Sequence, residues 1–83
     1  MSRKRSNLEI SDEILKVAMG GAKKSHLAYQ ANLNFAIIKD YLQELTNSGL
    51  LTSPMNGSKL YTTTDKGIEF INYLEGVKHL ATS

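Results

Sequence analysis

The chain has 83 residues, 41% hydrophobic and 22% charged, with a formal net charge of +2 and a pI near 9.0. That is one domain with a modest core, at a size where association often adds stability. It contains no cysteine, which excludes disulfides and thiolate metal sites, and no apolar run approaches the roughly 18 residues of a membrane span.

The N-terminal MSRKRSNLEI carries charge where a signal peptide needs an apolar stretch, so a cytoplasmic protein is expected. Residues 1–5 read as a flexible basic arm and residues 6–83 as the folded domain. RSNLEISDEILKVAMGG predicts a first helix. Ser6 with Glu9 three residues on fits a capping box, and Ser11 is a second possible start. Ile10, Ile14 and Val17 make one stripe, widened by Leu8, Leu15 and Ala18, and Gly20-Gly21 ends the helix. Asp12 and Glu13 are expected to favour the positive end of its dipole.

AKK (22–24) is a short extended link, and SHLAYQA a second helix of about two turns, capped by Ser25 or the residue before it. Tyr29 is expected in the core with its hydroxyl at the surface, and Asn32 in the turn. Asn34 is a good N-cap for a third helix, FAIIKDYLQELTNSG, whose core stripe is Ile38, Leu42 and Leu45. Gly49 stops it.

The hydrophobic period then changes. LLTS (50–53) and KLYTT (59–63) are strand candidates around a turn at Asn56-Gly57, since both turn positions tolerate positive φ. A last helix, about 65–80, begins near Thr64. Ile68, Ile71 and Leu74 form one face, and Phe70, Tyr73, Val77 and Leu80 a second stripe suited to a homodimer interface. A first helix, two further helices around a short turn, a hairpin and a last helix give a mostly α fold with a small β-hairpin, the winged helix-turn-helix arrangement.

The pieces RSNLEISDEIL, GGAKKSHLAYQANLNF, YLQEL, GLL and YTTTDKGIEFI carry a resemblance over about Arg5 to Glu75. The pattern G-x-x-K-(S/T)-x-x-x-Y-x-A-N-L-(N/S)-(F/Y) and the opening T-(D/E)-K-G of the last helix resemble the small archaeal winged helix-turn-helix DNA-binding proteins. The resemblance implies binding to double-stranded DNA, as a transcriptional regulator or a nucleoid-type binder, with the third helix in the major groove. In several members it also implies a dimer through the C-terminal helix. Where the family pattern has Lys, Gln or Arg just inside the third helix, this chain has Ala36 and Ile37.

On that frame the DNA-binding candidates fall into four groups. Asn34, Phe35, Ala36, Ile37, Lys39 and Gln43 lie off the core stripe of the third helix; Asn and Gln can pair with adenine, and apolar groups can touch a thymine methyl. Lys23, Lys24, Ser25 and His26 open the second helix, where free N–H groups suit a phosphate. Asn56, Ser58 and Lys59 belong to the wing. Arg3, Lys4 and Arg5 can follow phosphates, enter a narrow minor groove or merely solubilise the chain. Ile37 has three open places: the core, a thymine methyl or a protein-protein patch.

The alternative function is a winged-helix protein-protein module, which Ile37, Asp40, Glu44 and the small net charge allow. No enzyme is expected: no nucleophile elbow or phosphate-binding glycine loop occurs. With His26 and His79 the only histidines, no metal, other cofactor or small-molecule ligand is expected either.

Overall fold

In a computed structural model that describes residues 5–55 and 57–82, the order is α1 (Asn7–Val17), α2 (Lys24–Ala31), α3 (Phe35–Asn47), β1 (Leu51–Thr52), β2 (Thr62–Thr63) and α4 (Asp65–Thr82). This is the expected mostly α fold with a small antiparallel sheet. The helix at 7–17 starts at Ser6 and not at Ser11. The Ser6 hydroxyl accepts from the Glu9 N–H at 3.1 Å, and the Glu9 carboxylate accepts from the Ser6 N–H at 2.9 Å. Asp12 and Glu13 therefore lie beyond the first turn and are not dipole partners. Asp12 is buried against Lys16, and Glu13 pairs with Arg5.

The core is built from Ile10, Ile14, Leu15 and Ala18 of the first helical stretch, Leu27, Ala28 and Ala31 of α2, Ile38, Leu42 and Leu45 of α3, Leu51 of β1 and Ile71 of α4. Leu8, expected on the inner face, is exposed because it is offset from the Ile10, Ile14 stripe. A 3-10 turn over Ala18–Gly20 and Gly21 at φ +89° end α1. Lys16 then joins α1 to α4, contacting Asp12 at 3.1 Å and Glu75 at 2.5 Å. The hydrogen bonds to these two carboxylates hold its ammonium above the usual lysine range, Glu75 contributing most.

The wing grows from three points. Leu51 pairs with Thr63 and Thr52 with Thr62. Ala22, in the expected extended link, adds a third rung, its N–H and C=O bonded to Tyr61 at 3.0 and 2.8 Å. The ladder is shorter than the sequence predicted, since Pro54, just past β1, has no N–H to give. Ser58 N–H donates to the Met55 carbonyl at 3.0 Å and Gly57 takes φ +84°, so the turn is where it was expected; Asn56 lies outside the described residues.

At the start of α4 the Thr64 hydroxyl donates to the Gly49 carbonyl at 2.7 Å and accepts from the Gly67 N–H at 3.0 Å. That one hydroxyl connects the end of α3 to the beginning of α4. Of the residues expected on the second stripe of α4, Phe70 is instead half-buried against the core. It stands four residues before the buried Leu74, on the same face. Tyr73, Val77 and Leu80 are exposed.

Candidate nucleic-acid interface

α2 and α3 are joined by a turn that the sequence dictates closely. Asn32 adopts the left-handed conformation (φ +56°, ψ +49°), which its short polar side chain tolerates, and its N–H bonds back to α2 carbonyls. Two residues later Asn34 caps α3, its Oδ1 accepting from the Ile37 N–H at 2.9 Å. The cap engages the Asn34 oxygen, the atom that bidentate pairing with adenine would need as acceptor.

The start of α2 differs from expectation. The cap is Lys23 in extended conformation, so the helix begins at Lys24 and Ser25 lies inside its first turn. Ala22 is held in extended conformation by its bridge to Tyr61, and the chain turns into the helix directly afterwards. Among the described residues, no side-chain capping hydrogen bond is made at this N-terminus. Its first N–H groups are left for solvent or an anion, beside the exposed Lys23, Ser25 and His26.

Between α3 and β1 runs an open groove of about 380 Å³, lined by Lys24, Lys39, Gln43, Thr46, Asn47 and Ser53, with Leu42 and Tyr61 beneath. Its polar groups come from three elements. Lys39, Gln43 and Asn47 stand at i, i+4 and i+8 along one flank of α3. Lys24 reaches in from α2, its Nζ also lying 5.6 Å from the centre of the Phe35 ring. Ser53 closes the groove from the strand side. The fold thus brings Lys24, Phe35, Lys39 and Gln43 together.

Other candidates fall elsewhere. Ser58 borders a separate hollow on the wing with Met55 and Leu60, and Lys59 is exposed nearby. Arg5 is tied into the domain, its guanidinium donating to Glu13 at 2.6 Å and to the Ala31 carbonyl at 2.5 Å. Arg3 and Lys4 lie outside the described residues. Tyr29 is 81% exposed and not in the core. The buried face of α2 is Leu27, Ala28 and Ala31, and Tyr29 projects away from it.

Ile37 and Ile38, adjacent in sequence, separate completely: Ile38 is 0% exposed and Ile37 is 43% exposed. The core is thereby removed from the three places open to Ile37. It borders a shallow hollow with Asn7, Asp40, Tyr41 and Glu44, on the flank of α3 opposite the lysine groove. The helix therefore has a basic, amide-bearing side and an acidic one. Asn47, Ser53 and Tyr61 are groove residues not singled out from the sequence. The helical spacing from Lys39 and Gln43 could have found Asn47. Nothing in the sequence could have found Ser53 and Tyr61, whose positions depend on strand register.

Among the described residues no helix is long and apolar enough to cross a membrane, and no cluster of His, Cys, Asp or Glu could hold a metal. A family model described as winged helix-turn-helix matches residues 4–82. Among solved structures the chain is similar to Sso10a-2, a DNA-binding protein from Sulfolobus solfataricus. The TM-score is 0.84 and the identity 24%, covering 94% of this chain and 83% of that one. At that identity the likeness is one of fold. No curated protein matches the chain in sequence.

Proposed function

We propose that this chain, which belongs to the winged helix-turn-helix family, is a non-enzymatic protein that binds double-stranded DNA. α3 enters the major groove with its lysine-bearing flank toward the bases and the near phosphates. The uncapped start of α2, with Lys23, Lys24, Ser25 and His26, holds a backbone phosphate. Ser58 and Lys59 of the wing grip the adjoining backbone, and Arg3 and Lys4 add charge from the N-terminus. The observation that carries this reading is the convergence of Lys24, Lys39 and Gln43 on one groove between α3 and the wing. A phosphodiester needs cations and neutral donors on one surface, and this groove supplies both. The similar Sulfolobus structure, described as a DNA-binding protein, supports it.

The finer role is a transcriptional regulator or nucleoid-type binder of the archaeal kind, working in the cytoplasm as a homodimer. Tyr73, Val77 and Leu80 line an apolar hollow on α4 with Gly76, and two such helices about a two-fold axis would cover it. Two copies of α3 would then meet one duplex at half-sites about one helical turn apart. A second reading rests on the acidic flank, where Ile37 sits between Asp40 and Glu44, a surface suited to a protein partner and not to phosphates.

Binding to a random duplex pool over a salt series, with sequencing of the retained fraction, tests the main reading. Salt-dependent retention supports it. Absence of binding at low salt leaves the protein-partner reading.

A further inference from the structure

We infer that the tip of α3 recognises the C5-methyl groups of pyrimidines in the major groove, so that the DNA it prefers is rich in thymine; this rests on the DNA-binding reading above. The first turn of α3 opens with Phe35 and Ala36, both exposed and on the lysine-bearing side of the helix, Phe35 at 59%, whereas Ile37 faces the acidic flank. The polar side chain that opens α3 is Asn34, whose oxygen is committed to the cap. The polar residues Lys39, Asp40 and Gln43 stand about one turn further back. A helix that enters the groove by its N-terminal residues therefore presents carbon to the base edges, with few hydrogen-bonding groups.

The groove floor offers one exposed apolar group, the methyl of thymine. Its position is also occupied in 5-methylcytosine. The surroundings favour this partner over an apolar protein surface. The Lys24 ammonium lies 5.6 Å from the Phe35 ring centre, and Lys23 and Lys39 are exposed close by. An apolar protein patch covering Phe35 would strip water from Lys24 without replacing it. The major groove places methyls on its floor and phosphates on its rim, matching apolar and cationic groups together.

The test changes the ligand and leaves the protein intact. Affinity is measured for an alternating A·T duplex, for the same duplex with deoxyuridine in place of thymidine, and for a G·C duplex with and without 5-methylcytosine. Removing the methyls should weaken binding about three- to fourfold per contacted methyl, and methylating the cytosines should strengthen it. The salt slope should not move, because no phosphate contact changes. The Phe35→Ala variant, altered only at an exposed position, should bind the thymine and uracil duplexes alike. Equal affinity of the unaltered protein for those two duplexes overturns this inference alone and leaves the apolar tip to a protein partner. Failure to bind any duplex at low salt overturns the DNA-binding reading, and this inference with it.

Discussion

The Thr63 hydroxyl donates to the main-chain carbonyl of Leu15 across 2.6 Å, inside the core. One residue belongs to the second wing strand and the other to the first helix, 48 positions apart. The bond anchors the inner end of the wing to the helical body. Thr63→Val keeps the shape but removes the donor, leaving a buried carbonyl without its partner. It should destabilise the domain by about 1–3 kcal/mol in urea or thermal unfolding, whereas Thr63→Ser should recover much of the loss.

Gly67 marks the closest approach of α4 to the chain ahead of the wing. A Cβ there would run into the Leu50 carbonyl oxygen and the Thr63 side chain. This gives the glycine of the TDKG sequence a physical reason: the helix can start against Leu50 only without a side chain. Gly67→Ala should cost about 1–3 kcal/mol through forced displacement of backbone. Gly76→Ala, nine residues along the same helix with nothing of its own chain within 4 Å of the added carbon, should instead stabilise by about 0.5–1 kcal/mol when both changes are made in the monomeric Val77→Glu background. Comparing the two melting curves separates packing from helix propensity.

Sequence and structure agree best where a residue's role is local. Ser6, Asn34 and Gly57 could be read from short-range rules, because a cap or a turn is settled within four residues. The stripes of α1 and α3 were legible for the same reason. What failed depended on neighbours distant in sequence. Tyr29 looked like core only because it is aromatic, but α2 is so short that its buried face is filled by Leu27, Ala28 and Ala31. Arg5 looked like part of an arm, yet the Ala31 carbonyl at the end of another helix draws it in. By spacing Phe70 falls on the partner stripe, but the inner face of α4 is wider than a single row of i, i+3, i+4 positions and takes it in. At the candidate interface the lysines and amides of α3 were visible in the sequence. Their meeting with Lys24 and Ser53 required the packing of three elements.

The proposed dimer has a direct consequence for mass. Tyr73, Val77 and Leu80 are exposed along one side of α4, and covering them yields roughly 25 cal/mol per Å² of apolar surface. Sedimentation equilibrium at micromolar concentration should give about twice the 9.2 kDa chain mass. Val77→Glu should return the monomer without unfolding it, since Val77 is on the outside. A single 9.2 kDa species for the unaltered protein would contradict the dimer.

If the face formed by α2, α3 and the wing neutralises DNA phosphates, the salt dependence of duplex binding reports it. Each neutralised phosphate releases counterions, so log K should fall linearly with log salt concentration, with a slope of about −0.9 per contact. Replacing Lys23 and Lys24 together with Ala should weaken binding to duplexes of every sequence and flatten the slope by about two units if both touch phosphate. Both side chains stand at the surface end of α2, so the fold should survive the change. A slope identical to that of the unaltered protein would show that this face does not meet DNA.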